Sequence, residues 1–221
     1  MILFIYLAVS KESRFFSFLI RTCYNDIRYF LQIYAQHERT DHMSIAVIYG
    51  GARQNGNTEQ LTEYVIEGLQ SEKFYLRDYH ILPIDDQRHS ERGFQDLGDD
   101  YNSVIKRVMA HDVLIFATPI YWYTMSGLMK NFVDRWTETL RDSEFPQFRQ
   151  EMGSKKAFLI AVGGDEPHMK GLPLVLSFQH IMGYFGGKLD GYILGKGSKP
   201  GEILHDNAAL TAAEQLRKKL S

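Results

Sequence analysis

Residues 44–58 read SIAVIYGGARQNGNT, and this stretch decides how the rest of the chain is interpreted. The run 45–49 is continuously apolar, which is typical of a strand buried on both faces of a parallel sheet. Residues 50–57 are rich in Gly and Asn, which predicts a loop. A segment from Thr58 to Gln70 follows with its apolar residues at helical spacing. The stretch therefore predicts a strand, a tight loop and a helix in direct succession.

The same alternation of short apolar runs and longer amphipathic segments continues towards the C-terminus. The predicted strands are 45–49, 74–81, 113–117, 157–162 and 188–194. The predicted helices are 58–70, 99–110, 127–140, 174–184 and about 203–218. Strands that alternate with helices in this way predict a parallel sheet with helices on both faces. We therefore expect an α/β fold with a doubly wound, flavodoxin-like sheet of five strands in the order 2-1-3-4-5.

Composition limits the classes of function. The chain has 221 residues, with 25 Lys and Arg against 27 Asp and Glu, and a net charge of −2. This balance excludes a broad basic surface for nucleic acid and argues against a strongly acidic electron carrier. The single cysteine, Cys23, excludes an internal disulfide framework and any zinc or iron–sulfur site built from four cysteines. We expect no metal site, and a reducing, cytoplasmic location.

The first 42 residues differ in character from the rest. The apolar run Met1–Val9 is too short to span a bilayer, and it lacks the flanking features of a signal peptide. A helical stripe follows between Phe15 and Tyr34, which predicts a helix packed on the domain or on a partner, or, less well supported, on a membrane surface. Met43 is followed by a small residue and then by a predicted buried strand. Many compact α/β domains begin in this way. The alternative is therefore that residues 1–42 are a non-native or dispensable extension before a domain at 43–221.

The loop after the first strand has the composition of a phosphate site. In open doubly wound sheets, ligands bind beyond the carboxyl ends of the strands, and a helix N-terminus there offers free N–H groups to an anion. Gly51 and Gly56 let the backbone approach the ligand closely. Arg53 can add a charged fork, and Asn57 and Thr58 can add neutral donors. The alternative is a plain strand-to-helix turn with Thr58 as the N-cap.

The loop after the third predicted strand is rich in aromatic residues. Residues 118–127 read TPIYWYTMSG, which places Tyr121, Trp122 and Tyr123 at the exit of a buried strand. Side chains of that size in a loop need something to cover, and a flat heteroaromatic ring is one candidate. The alternative is a dimer interface, where Tyr and Trp are also enriched.

A third loop, residues 163–168, reads GGDEPH. Two glycines after a strand permit close approach of the backbone to a ligand. Asp165 and His168 are candidate polar contacts. The alternative is a tight turn with a solvated His168, and for that residue we favour this interpretation.

At these three loops the chain resembles the flavodoxin-like family of NAD(P)H-dependent FMN reductases, and the resemblance covers most of residues 43–221. Residues 50–58 resemble the family's G-S-x-R-x-x-G-N-T loop. Residues 117–122 (ATPIYW) and 126–135 (SGLMKNFVDR) are similar to its P-I-Y…G-x-x-K-x-x-x-D-R block. In two respects the chain departs from the pattern. Ala52 replaces the usual Ser, and the cysteine cluster of the related iron–sulfur flavoproteins is missing.

The resemblance implies which residues contact FMN. It implies contacts to the phosphate from Arg53, Asn57 and Thr58, with backbone contacts from Gly51, Ala52 and Gly56. It implies contacts to the isoalloxazine ring from Pro119, Ile120, Tyr121, Trp122 and Tyr123, and on the other side from Gly163, Gly164 and Asp165. No catalytic side chain stands out. Lys130 and Asp134 have the spacing of a helical surface pair, which we favour over a catalytic role.

The resulting expectation is an FMN-containing enzyme that takes a hydride from NADPH or NADH. It would pass the electrons to a quinone, a nitro or azo compound, free flavin or a similar small molecule. One alternative is a flavodoxin-type electron carrier that does not oxidise NAD(P)H, and another is a flavin-free protein with an aromatic interface loop. We also expect a homodimer with the flavin near the subunit boundary, because Tyr121, Trp122, Tyr123 and Trp136 together exceed what one ring can cover.

Overall fold

A five-stranded parallel sheet forms the centre of the computed structural model, which describes residues 43–221. The strands are β1 (Ile45–Tyr49), β2 (Ser71–Tyr75), β3 (Val113–Pro119), β4 (Lys156–Gly163) and β5 (Leu189–Lys196). Their order in the sheet is β2-β1-β3-β4-β5, which confirms the predicted fold. Since β1 pairs with β2 on one side and with β3 on the other, the switch point lies between β1 and β3. The predictions for residues 1–42 lie outside the described residues.

Helices cover both faces of this sheet. Within residues 43–221 the α-helices are α1 (Asn57–Ile66), α2 (Tyr101–Met109), α3 (Gly127–Asp134), α4 (Trp136–Thr139), α5 (Phe148–Ser154), α6 (Pro167–Lys170), α7 (Leu172–Tyr184) and α8 (Asn207–Leu220). Two short 3-10 helices are Leu76–Asp78 and Glu202–His205. The helices α1 and α8 pack on one face, while α2, α3, α4, α5 and α7 pack on the other.

Alternating side chains of the central strands supply the two cores. Ile48 and Phe116 point into the core beneath α2, α3 and α7, whereas Val47 and Ile115 point into the core beneath α1 and α8. All four side chains are fully buried. Burial of a side chain of this kind stabilises the fold by about 1.5–3 kcal/mol. A strand buried on both faces therefore accounts for the continuous apolar runs in the sequence.

The second strand lies earlier in the chain than predicted. Residues 74–81 were the expected strand, but β2 spans Ser71–Tyr75 and is followed by a 3-10 helix. Within residues 43–221, the strand β2 is at the edge of the sheet and pairs only with β1. One edge and part of the surface of this strand face solvent, so Ser71, Glu72 and Lys73 can be polar. These residues therefore form no apolar run from which a strand could be predicted.

The helices also differ from the prediction. The helix expected at 127–140 ends at Asp134 and resumes as α4 at Trp136. The short helices α5 and α6 were not predicted, because seven and four residues carry too little periodicity to distinguish them from loops.

Trp136 is a core residue, so it does not contribute to an exposed aromatic surface as the dimer argument assumed. Its side chain is 3% exposed. The indole packs edge-on against the rings of Phe132, Phe148 and Phe185. Of the four aromatic residues in that argument, the three in the loop after β3 are exposed and Trp136 is not.

The charged block after that loop has a structural role. Lys130 and Asp134 form an exposed pair with a distance of 2.6 Å between Nζ and Oδ1, which confirms the surface interpretation. Arg135 is 1% exposed, and its guanidinium forms a 2.6 Å ion pair with Asp99 and lies over the ring of Tyr101. The carboxylate of Asp99 also accepts a hydrogen bond from the backbone N–H of Leu82. These contacts fix the long loop after β2 to the helices α2 and α3.

Candidate functional site

A cleft opens where β1, β3 and β4 reach their carboxyl ends, which is the place that the topology predicts. It has a volume of about 220 Å³. Most of the predicted site residues line it: Gly51, Ala52, Arg53, Gly56, Asn57, Thr58, Pro119, Ile120, Tyr121, Gly163 and Gly164. Three loops that are distant in sequence thus meet around one cleft.

A second hollow of about 150 Å³ adjoins this cleft. The two share Ile120, Gly163 and Gly164 as walls. The remaining predicted residues, Trp122, Tyr123 and Asp165, line the second hollow. The site is therefore elongated, with the N-terminus of α1 at one end and the aromatic loop at the other.

The end beside α1 is suited to an anion. The N-cap is Gly56, which has an extended backbone and offers no side-chain cap, and the N–H of Gln60 donates to its carbonyl. The N–H groups of the first helical turn consequently have no partner within the helix. Thr58 lies inside the helix, so the alternative that made it the N-cap is wrong.

The guanidinium of Arg53 is the free positive charge at this end. The residue is exposed and lines the cleft. Within residues 43–221, no hydrogen bond or ion pair engages its side chain, although its backbone carbonyl accepts a hydrogen bond from Arg77. A free guanidinium beside free helical N–H groups is a strong donor set for a phosphate.

Asn57 has a structural task that the sequence did not reveal. Its amide Nδ2 donates to the carbonyl of Lys199 at 2.9 Å, and its Oδ1 accepts from the backbone N–H of Gly201 at 2.9 Å. A Cβ on Gly197 would lie 2.8 Å from the same amide, which explains the glycine there. The amide thus connects α1 to the loop after β5, and a contact from this side chain to a ligand stays a prediction.

Ser126 joins the first and second loops. Its hydroxyl donates to the carbonyl of Gly50 at 2.6 Å and accepts from the N–H of Met129, which caps α3. The N–H of Ser126 donates in turn to Oγ1 of Thr118. Because Ser126 is only 3% exposed, this connection is shielded from water.

The aromatic loop makes a tight turn with an unusual backbone. Tyr121 and Thr124 exchange two backbone hydrogen bonds of 3.0 Å. The two residues between them, Trp122 and Tyr123, have φ of 48° and 65°, in the left-handed region. Such a conformation costs about 1–3 kcal/mol for each residue other than glycine, and strain of this kind is concentrated at functional sites. The turn leaves the Trp122 side chain 92% exposed.

The loop after β4 is held against this turn. The hydroxyl of Tyr123 donates to Oδ2 of Asp165 at 3.0 Å, and Nζ of Lys170 lies 2.7 Å from Oδ1. The hydrogen bonds from Lys170 and Tyr123 lower the pKa of Asp165. A Cβ on Gly164 would overlap the hydroxyl of Ser198, so a larger residue there would require the Ser198 side chain to move. His168 is largely exposed, which confirms its interpretation as a solvated residue.

Several residues that line the site were not singled out from the sequence. They are Tyr49, Glu59, Ala117, Val162, Gly197 and Ser198. The last two belong to a fourth loop, 197–201 (GSKPG), which follows β5 at the same edge of the sheet. Two glycines and a proline after a predicted strand were the available signal. Arg77 was also missed, and it contacts the carbonyls of Gly51 and Arg53 from behind.

Comparisons with known proteins identify a family and several similar proteins. Residues 43–186 match the family model described as NADPH-dependent FMN reductase. A Bacillus subtilis (strain 168) relative, YwqN, whose name places it among NAD(P)H-dependent FMN-containing oxidoreductases, is 52% identical over 80% of this chain and 98% of its own length. The iron–sulfur flavoprotein MJ1083 of Methanocaldococcus jannaschii is 26% identical over 81% of this chain and 96% of its own length. The solved structure of the Trp repressor binding protein from Bacillus subtilis is 46% identical, with a TM-score of 0.66 over 78% of this chain and 96% of that chain.

Proposed function

Because the chain belongs to the NADPH-dependent FMN reductase family, we propose that its elongated cleft binds FMN and serves electron transfer from NAD(P)H to a small-molecule acceptor. The chain is an FMN-dependent NAD(P)H oxidoreductase of that family. The acceptor that we propose is a quinone, a nitro or azo compound, a free flavin or a molecule of similar chemistry. The proposal assigns the contacts predicted above to this one cleft.

The donor set of the cleft fits a flavin mononucleotide. One end offers a free guanidinium, Arg53, and the first-turn N–H groups of α1. The other end offers the aromatic turn at 121–124 and the glycines of the loop after β4. A molecule with one terminal phosphate and one flat ring matches both ends, and this match is the observation that carries the proposal.

Each part of the site then has a distinct task. Bound FMN would supply the redox chemistry, which is acceptance of a hydride from NAD(P)H and transfer of electrons to the acceptor. Arg53 and the N-terminus of α1 hold the phosphate. Ala52, which replaces the usual Ser and so has no hydroxyl, contributes its backbone N–H to the phosphate. Gly163 and Gly164 let the backbone reach the edge of the ring, where N–H groups stabilise negative charge. The turn that carries Trp122 limits access of water to the ring.

A homodimer is part of the proposal. Its support is Trp122, which is 92% exposed between two half-exposed tyrosines at the mouth of the cleft. Large aromatic side chains that project together are typical anchors of a buried interface. A second copy placed on the turn would cover Trp122 and form one wall of the nicotinamide pocket.

The cytoplasmic location also remains a proposal, supported by the single cysteine of the chain. Among residues 43–221, no helix is long and apolar enough to cross a bilayer.

A binding measurement tests the cofactor assignment. We expect the purified full-length protein to be yellow and heat to release FMN rather than FAD, since the cleft offers one anion-binding end, which suits a single terminal phosphate. Chromatography of the released flavin distinguishes the two. Recovery of FAD alone, or a colourless protein that does not quench added FMN fluorescence, contradicts the proposal.

A further inference from the structure

Arg77 lies behind the loop after β1, and its position is unusual for a charged residue. It belongs to the 3-10 helix that follows β2, and its side chain is 13% exposed. The guanidinium lies 4.5 Å from the centre of the Tyr75 ring. Nη1 reaches Oε2 of Glu59 at 2.8 Å, the carbonyl of Arg53 at 3.3 Å and the carbonyl of Gly51 at 3.5 Å. One partly buried cation therefore contacts both the loop and the helix of the anion-binding end.

Glu59 presents a difficulty for an anion site. It lies in the first turn of α1, lines the cleft, and has a side chain only 12% exposed. A carboxylate in this position repels a phosphate and competes with it for the guanidinium of Arg53. The ion pair with Arg77 neutralises that charge. Arg53 has no partner within residues 43–221, although an acidic residue lies on the same cleft.

The contacts to the carbonyls have a second effect. In a planar trans peptide, the C=O of one residue and the N–H of the next point in opposite directions. When Arg77 draws the carbonyls of Gly51 and Arg53 towards itself, the N–H groups of Ala52 and Gln54 turn away from it. The loop thereby offers donors, rather than carbonyl oxygens, on its other side.

We propose that Arg77 is a positioning residue for phosphate binding, which rests on the proposed function. It neutralises Glu59, fixes the carbonyls of the loop and leaves Arg53 free for the phosphate of FMN. Arg77 does not itself contact the ligand. Loss of Arg77 should therefore weaken binding only of a flavin that carries a phosphate. Riboflavin, which has the same ring as FMN and no phosphate, provides the comparison.

The experiment measures the dissociation constants of FMN and riboflavin by flavin fluorescence, with the full-length apoprotein. Arg77→Met removes the charge and retains most of the side-chain volume. We expect the dissociation constant of FMN to rise about ten-fold or more, because Glu59 is left unpaired on the cleft and repels the phosphate, and that of riboflavin to change less than about two-fold. Adding Glu59→Gln to Arg77→Met should bring the FMN value back to within about three-fold of the wild type.

Two variants keep the test decisive. Glu59→Gln alone, which retains Arg77, should tighten FMN binding by about two- to five-fold, because it removes a carboxylate on the cleft that repels the phosphate. Lys73→Met is the matched control. It breaks the 2.6 Å ion pair with Glu63, which lies on α1 but outside the cleft. The dissociation constants of FMN and riboflavin should both stay unchanged.

The outcomes separate this inference from the proposed function. Equal weakening of FMN and riboflavin by Arg77→Met, failure of Glu59→Gln to rescue it, or weaker FMN binding by Glu59→Gln alone would overturn the role of Arg77. In that case wild-type binding of FMN still supports the proposed function. A wild-type protein that binds neither flavin overturns both.

Discussion

The hydroxyl of Ser126 donates a 2.6 Å hydrogen bond to the carbonyl of Gly50 and so joins the loop after β1 to the first turn of α3. Both residues are buried, and the Ser126 hydroxyl also caps α3 by accepting from Met129. This contact therefore helps to set the position of the anion-binding end relative to the aromatic turn, together with the pairing of β1 and β3. The contact requires glycine at position 50, because a Cβ there would lie 2.9 Å from both Met129 Cβ and Ser126 Oγ.

Gly50→Ala should accordingly lower the free energy of unfolding by about 1–3 kcal/mol, the cost of overpacking a buried contact. Denaturant unfolding, monitored by circular dichroism, measures this change. Gly51→Ala is the matched control, since a Cβ at that neighbouring position has no atom within 4 Å. Equal stability of the two variants would show that the loops move apart without cost.

Arg53→Ala should weaken binding of FMN by about 1.5–3 kcal/mol, the range for a hydrogen bond to a charged group. The free guanidinium of Arg53 is the reason for this expectation, because no partner among residues 43–221 has to be given up when it binds a phosphate. Fluorescence titration measures the affinity, and steady-state oxidation of NAD(P)H at saturating FMN should change much less. Unchanged affinity with a collapsed rate would instead assign Arg53 to the nicotinamide site.

The three ligand loops could be predicted from the sequence because the strands before them are buried on both faces. The resulting apolar runs at 45–49, 113–117 and 157–162 are distinctive, and the rule that ligands bind at the carboxyl edge then selects the loops. The edge strand β2 gave no such signal. Its polar residues 71–73 pair with one neighbour only, and the prediction was displaced towards the apolar residues that follow.

Contacts between distant residues were beyond a sequence argument. Arg77 acts on Glu59 and Gly51, which are 18 and 26 positions away, and no periodicity relates such residues. The same applies to Asn57, whose amide contacts a backbone N–H 144 positions later. Trp136 illustrates a different limit. Its closeness in sequence to the aromatic loop suggested an exposed surface, but its packing against Phe148 and Phe185 places it in the core.

The protein should be a homodimer that depends on the aromatic turn. Light scattering at micromolar concentration should report a dimer for the wild type, and Trp122→Ala should shift it towards the monomer, since this side chain is 92% exposed in the monomer. Leu204→Ala, which truncates an exposed apolar residue elsewhere, is a suitable control. A monomeric wild type with full NAD(P)H oxidation would refute the dimer. A dimer that Trp122→Ala leaves intact would assign Trp122 to the flavin instead.

Deletion of residues 1–42 should leave folding and FMN affinity intact. The five-stranded sheet and all the residues assigned to the flavin lie within 43–221, so the shortened chain retains every contact that the structure describes at the site. Thermal unfolding and fluorescence titration of the shortened chain beside the full-length protein measure both properties. Insoluble protein or loss of FMN binding would indicate that the removed segment is needed for the core.

The central claim is that FMN in this cleft accepts electrons from NAD(P)H. The most direct measurement is the visible spectrum of the full-length protein, loaded with FMN and titrated with NADPH, and separately with NADH, in the absence of oxygen. We predict that the flavin absorption bleaches with about one equivalent of at least one of the two nucleotides, and that it returns when a quinone is added. A protein that binds FMN and keeps its oxidised spectrum with both nucleotides would contradict the account and identify an electron carrier.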